Sequence, residues 1–222
     1  MHIQWFGQSA FRLAADDATV FIDPLGDTSA LAARGGLKLE YPPIEGVSAH
    51  LLLVTHEHRD HNGVDRIDGD PVVLRSTAGR LDSPVGEVVA IASEHDDEAG
   101  TQRGPNTIFV FGLDGVRVAH FGDFGQRALR DEQAAAIGDA DLIFLPIGGS
   151  ATIDAEHAAG VVERLQPRWI VPMHYRTHRV NFLDPPDAFL ELMGNVVRLD
   201  QPVFDTADLP AGEPLTIVPA AP

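Results

Sequence analysis

The 222-residue chain contains no cysteine. Disulfides, thiolate metal sites and cysteine nucleophiles are therefore excluded. Any metal has to be held by imidazole and carboxylate, and the chain offers ten histidines. No apolar run approaches the roughly 18 residues that a membrane-spanning helix needs, so no membrane span is expected. The N-terminus, Met1-His2-Ile3-Gln4-Trp5, shows no basic stretch followed by an apolar one. That argues against a secretory leader and for a cytoplasmic address. Basic residues are scarce: 16 Lys and Arg stand against 33 Asp and Glu, a formal net charge of −17. A field of that sign repels polyanions and withholds the counterion release that drives their binding. Nucleic acid is thus not an expected partner. Internal repeats, low-complexity tracts and long linkers are missing as well.

What is there suits one domain over 1–222. Hydrophobic residues make up 44% of the chain, enough for a real core, and charged residues only 22%, which excludes a compositionally disordered chain. The first third reads as β. Residues 3–6, 10–13 and 19–22 are short apolar runs, with a turn at Asp16-Asp17. Residues 51–54 are apolar throughout, as in a strand buried on both faces, and they stop abruptly at Thr55-His56. Runs at 107–111 and 116–121 flank Asp114-Gly115, a hairpin signal because both central residues of a type I′ turn need positive φ.

The second half alternates. A helix is predicted over 127–137, then a strand at 142–145. Asp154 is placed to N-cap a helix whose inner face carries Ala158, Val161, Val162 and Leu165, with Pro167 as its stop. A strand follows at 169–171. Pro185-Pro186 opens a third helix carrying Phe189, Leu190 and Met193, with Gly194 as its cap, and 196–199 forms a strand. The Pro- and Ala-rich remainder from 201 is expected as a peripheral tail around one strand at 215–218. An α+β or α/β domain with mixed sheets follows from this pattern.

Chemistry concentrates in Thr55-His56-Glu57-His58-Arg59-Asp60-His61, three histidines and an aspartate within six residues at a strand end. A rigid sheet positions such groups while leaving them open to solvent. His56 and His58 can converge on one metal, and Asp60 and His61 can turn to a second. A solvated polar loop is the bland alternative, disfavoured by the density of histidine.

This H-x-H-x-D-H segment resembles the signature of the metallo-β-lactamase superfamily. Four further pieces match in order: Asp23 in Phe21-Ile22-Asp23-Pro24, His95 in an acidic stretch, Asp123 in His120-Phe121-Gly122-Asp123, and His174 in Val171-Pro172-Met173-His174-Tyr175. More narrowly, Arg103-Gly104-Pro105-Asn106-Thr107, Pro172-Met173-His174-Tyr175 and Trp5-Phe6-Gly7-Gln8-Ser9-Ala10 resemble the branch that contains ascorbate-phosphate lactonases. That branch often carries histidine where this chain has Gln8, so Gln8 is not counted as a ligand.

The resemblance implies a four-layer αββα sandwich, two mixed β-sheets with helices on the outer faces. It implies two divalent metal ions: His56, His58 and His95 on the first, Asp60, His61 and His174 on the second, and Asp123 bridging. Zinc suits these donors first, manganese or iron at higher coordination number. Asp60 and Asp123 carry the catalytic roles, and Asp23 supports the signature loop. Asp96 is a candidate acceptor for the outer nitrogen of His95.

His120 and His157 read as structural, and His2 and His50 as incidental. Substrate contacts are open for Arg103, Asn106, Tyr175 and His178. The implied activity is hydrolysis of a small ester or lactone, phosphorylated or not, with a phosphodiester as second choice. A histidine at 58, where related oxidoreductases often carry glutamate, favours hydrolysis over redox chemistry. The alternatives are a non-catalytic or sensory metal-binding module and a nuclease. The sequence leaves the oligomeric state open, a homo-oligomer included.

Overall fold

A computed structural model describes residues 1–29, 36–150, 152–210, 212 and 214–222. Part of the segment 25–45 therefore lies outside the described residues. The chain builds two mixed sheets. The first takes β1 (His2–Gly7), β2 (Ala10–Ala14), β3 (Thr19–Ile22), β4 (Leu51–Val54) and β5 (Val72–Arg75). The second takes β6 (Gly79–Ser83), β7 (Gly86–Glu94), β8 (Pro105–Leu113), β9 (Val116–His120), β10 (Leu142–Pro146), β11 (Trp169–Met173) and β12 (Val196–Arg198). Two late strands complete them: β13 (Val203–Asp205) joins the first and β14 (Leu215–Val218) the second. The orders are β13-β1-β2-β3-β4-β5 and β12-β14-β11-β10-β9-β8-β7-β6.

The sheets face each other across the main core. In β1, alternation turns Ile3 and Trp5 inward while His2 and Gln4 stay half-buried. Phe11 of the first sheet meets Phe144 of the second, ring centroids 4.4 Å apart. Strand β4 is buried on both faces, as its unbroken apolar run predicts: Leu51 and Leu53 enter the main core, and Leu52 joins Phe21 in a second cluster on the outer side. That outer cluster is closed by Leu25, Ile44 and Ile67 from loops. Helices α1 (Asp131–Ile137), α2 (Ala155–Leu165) and α3 (Asp187–Leu192) serve the second sheet. The Gln133 side chain of α1 donates to the Ala92 carbonyl of β7, and Ala158, Val161, Phe189 and Leu190 of α2 and α3 extend the main core.

Local signals hold where they are strong. Asp114 and Gly115 take φ of 54° and 73°, the paired positive values that the hairpin between β8 and β9 requires. Asp154 caps α2 by accepting from the His157 backbone N–H. Four expectations are corrected, three of them local. The helix predicted over 127–137 begins only at Asp131, because Arg130 is extended at the N-cap and Gln133 Oε1 accepts its N–H. Gly194 does not cap α3; Met193 ends it in an extended conformation. Strands β5, β6 and β7 lie where the apolar-run reading marks none, β5 and β6 being largely exposed edge strands.

The segment after 200 is the largest correction. It is not peripheral, since β14 sits between β11 and β12 with all four residues buried, and β13 pairs with β1. No described helix is long and apolar enough to cross a membrane.

A buried strand in the interior of a sheet predicts a core-sized cost for truncation. Ile217, fully buried in β14, is expected to lose about 2–5 kcal/mol as Ile217→Ala. Urea unfolding measures it, and a loss below about 1 kcal/mol would match the peripheral picture instead.

Candidate metal centre

The sequence-predicted site residues all follow strand C-termini. His56, His58, Asp60 and His61 follow β4, His95 follows β7, Asp123 follows β9 and His174 follows β11. The first sheet thus supplies four of the groups and the second sheet three. They meet around one carboxylate oxygen. Asp123 Oδ2 lies 3.2 Å from His95 Nε2, 3.2 Å from His174 Nε2, 3.3 Å from His61 Nε2 and 3.9 Å from His56 Nε2. Asp60 Oδ2 is 3.6 Å from His61 Nε2, and His58 Nδ1 is 3.1 Å from His56 Nε2. Among the described residues, three groups have donor atoms mutually within 4.8 Å: His56, His58 and His95; His56, His61 and Asp123; Asp60, His61 and His174. Every sequence-predicted ligand belongs to at least one of them.

Burial disfavours charge on each group, so the shifts show where charge is held. Burial, then the charge on neighbouring His61, pushes His56 well below the usual imidazole value. His58 and His174 are lowered too, chiefly by burial. For His61, burial is outweighed by Asp123, Asp60 and Asp23, which raise it well above the usual value. For Asp123, burial is outweighed by His174 and His61, which hold its carboxyl far below the usual range.

These features fit a cation-binding centre. Neutral imidazoles offer lone pairs, which is the ligating state. His61 Nε2 is buried and makes no hydrogen bond. Surroundings that stabilise a positive charge on a buried imidazole stabilise a divalent cation by the same Coulomb attraction.

The outer nitrogens are partly anchored. Asp23 Oδ1 accepts from the Thr55 backbone N–H at 2.8 Å, and Oδ2 accepts from the Thr55 hydroxyl at 2.7 Å and from His61 Nδ1 at 2.9 Å. His56 Nδ1 lies 3.0 Å from the same hydroxyl. Asp23 therefore orients two of the signature histidines, the supporting role expected of it. Strain gathers here as well: Gln8, Asp23 and His174 hold φ of 46°, 49° and 50°, each costing about 1 kcal/mol or more. Gly122 is required beside Asp123, since a Cβ there would stand 2.5 Å from Asn106 Oδ1 and 2.6 Å from Thr55 Oγ1 at a φ of +56°.

Comparison with known proteins agrees with this geometry. Residues 2–174 match the family described as the beta-lactamase superfamily domain. A UPF0173 metal-dependent hydrolase of Thermococcus kodakarensis is 32% identical over 87% of this chain and 92% of its own length. A UPF0173 metal-dependent hydrolase of Methylobacterium nodulans is 31% identical over 93% of this chain and 98% of its own. This chain belongs to the metallo-β-lactamase superfamily. It is one of the metal-dependent hydrolases of that superfamily. The fold match is as extensive: a Thermotoga maritima crystal structure, described as a Zn-dependent hydrolase of the superfamily, superposes with a TM-score of 0.77. It is 26% identical and covers 98% of both chains.

The remaining candidate residues of this metallo-β-lactamase-superfamily hydrolase are placed as follows. Asp96 does not serve His95. Its carboxylate accepts the backbone N–H groups of Glu98, Gly100, Gln102 and Arg103 and folds the loop after β7. Asn106 is buried and fully used within the protein. It accepts from the Asp123 N–H at 3.0 Å and donates to Ser93 Oγ and the Phe121 carbonyl at 2.8 Å each, so it is not a substrate contact. Tyr175 is packed against Trp5, its ring centroid 5.6 Å away, and burial pushes its hydroxyl pKa up. His178 is exposed and enters none of the ligand groups. His120 is buried and hydrogen-bonded, as a structural histidine should be.

Glu57 is a residue the sequence reading missed. Its carboxylate receives Arg75 Nε at 3.0 Å, a second Arg75 nitrogen and Ser76 Oγ at 2.9 Å, which ties the signature loop to the end of β5. No local pattern flags it, since its partners are 18 and 19 residues away.

The Arg75 guanidinium holds Glu57 down from 4.5 to about 2. A depressed acid contributes stability above its unfolded pKa and loses it as pH falls through the folded value. The wild type should thus lose stability relative to Glu57→Gln between about pH 4.5 and pH 2. The difference should stay near 1 kcal/mol or less, because the pair is half exposed. Parallel thermal melts across that range check it, and equal slopes would refute it.

Proposed function

We propose that the centre holds two divalent cations and hydrolyses a small ester or lactone, with a phosphodiester as the second substrate class. The observation that carries the reading is the position of Asp123, whose Oδ2 faces Nε2 of His61, His95 and His174 within 3.3 Å. A carboxylate shared by ligands from both sheets is what a bridging role requires. In this reading His56, His58 and His95 hold the first cation, Asp60, His61 and His174 hold the second, and Asp123 bridges. Imidazole and carboxylate donors suit zinc first, and manganese or iron also. When bound, such a pair acidifies water and neutralises charge developing on the attacked oxygen.

The chain's own part is placement and proton handling. Asp123 and the five histidines fix the positions at which positive charge is held. Asp60, with its side chain 24% exposed, makes no side-chain hydrogen bond among the described residues. It therefore has an oxygen free to accept a hydrogen bond from the attacking water and aim its lone pair at the substrate.

A cavity of about 500 Å³ opens beside His95, lined in part by Gln102, Arg103, Arg127 and Asp184. That volume lies in the range of roughly 300–1,000 Å³ typical for small-molecule sites. Arg127 is engaged by Asp97, whereas Arg103 makes no ion pair among the described residues. Arg103 is therefore the residue to receive an acidic group on the substrate. A net charge of −17 supports a small substrate over a long polyanion.

Metal analysis of the purified protein should find two equivalents per chain. Chelation should abolish activity on a panel of lactone, ester and phosphodiester substrates, and added zinc or manganese should restore it. Asp123→Ala should cost more than about 100-fold in kcat/KM, the upper end of what losing a mere supporting partner costs. A clean protein that takes up no metal would end this reading.

A further inference from the structure

Asp123 has two carboxylate oxygens, and only one of them faces the histidines. The other, Oδ1, accepts a hydrogen bond from Ser9 Oγ at 3.3 Å. Ser9 is fully buried and sits in the tight connection between β1 and β2, 114 residues from Asp123. It is the only described residue that donates to this oxygen. The backbone of Asp123 is fixed separately by Asn106, but a carboxylate rotor is broad, so the plane of the group needs an anchor of its own.

Ser9 is itself held. Its carbonyl lies 3.0 Å from His120 Nε2, and His120 Nδ1 lies 3.2 Å from the Gly122 backbone N. Because Gly122 N–H can only donate, Nδ1 is the acceptor. The proton is thus on Nε2, which donates to the Ser9 carbonyl. Burial keeps this imidazole neutral by lowering its pKa to about 4. Ser9 joins two strands of the first sheet, whereas His120 ends β9 of the second and Asp123 follows it. The chain His120–Ser9–Asp123 therefore crosses between the two sheets at the floor of the centre.

We infer that Ser9, braced by His120, is a positioning residue that sets the plane of the Asp123 carboxylate and the spacing of the two half-sites. The inference rests on the dinuclear reading above, and it assigns the centre a support that no ligand motif contains. Its substitution leaves Asp123 Oδ1 buried without a donor, while all seven ligand side chains remain.

The test uses protein stripped by chelation and titrated with cobalt(II), read by visible absorption, for the wild type, Ser9→Ala and Ser9→Thr. Far-ultraviolet circular dichroism and thermal melts without metal show whether each variant keeps the fold. Ser9→Ala should bind cobalt about 10-fold more weakly or worse, with altered ligand-field bands. Ser9→Thr, which keeps the hydroxyl, should restore both. His120→Phe, which removes the donor to the Ser9 carbonyl, should change the bands in the same direction. If the wild type binds cobalt and Ser9→Ala matches it in affinity and spectrum, this inference falls while the dinuclear reading stands. If the wild type takes up no cobalt, both fall together.

Discussion

A carboxylate that is 2% exposed governs this molecule. Burying the charge of Asp123 is costly unless it is compensated on the spot. Compensation comes from imidazoles that arrive from both sheets: His56 and His61 from the first, His95 and His174 from the second. Neither sheet can build the centre alone. The alignment of the sheets is therefore part of the site, and the aromatic contact of Phe11 with Phe144 belongs to the chemistry as much as to the core.

The arrangement also explains why polar groups are tolerated in so dry a place. Asp23, Thr55, Asn106 and His120 are all buried, and each is spent on hydrogen bonds to a candidate ligand residue or to the backbone that carries one. Such a network specifies one geometry when it is complete and destabilises when broken. Left-handed backbone at Asp23 and His174 adds strain that the surrounding sheets over-determine. The strong negative charge of the whole chain works in the same direction, since it raises the local concentration of cations and turns away large anions.

Much of this was legible locally. The strand at 51–54 is an unbroken apolar run, and β4 is buried on both faces. Asp114-Gly115 is a turn dictated by its own φ values. Signals that fail are those whose meaning depends on distant partners. Asp96 reads as a neighbour for His95, yet four backbone N–H groups of its own loop claim it. Asn106 reads as open to substrate contact, yet Asp123, Ser93 and Phe121 use it up.

The sequence by itself determined the donor inventory, imidazole and carboxylate without thiolate, and the strand ends that carry His56, Asp123 and His174; the strand before His95 was not legible in it. It determined these because residue identity, turn chemistry and strand patterning are local properties of the chain. Only the tertiary structure decided which nitrogen of each histidine faces Asp123, that residues 203–205 and 215–218 enter the sheets instead of trailing from them, and that Ser9 touches Asp123. Those are contacts between residues far apart in the chain, such as Ser9 and Asp123, 114 positions apart, or His2 and Asp205, paired across β1 and β13. They exist only once two twisted sheets have packed, because no short stretch of sequence carries the distance between them.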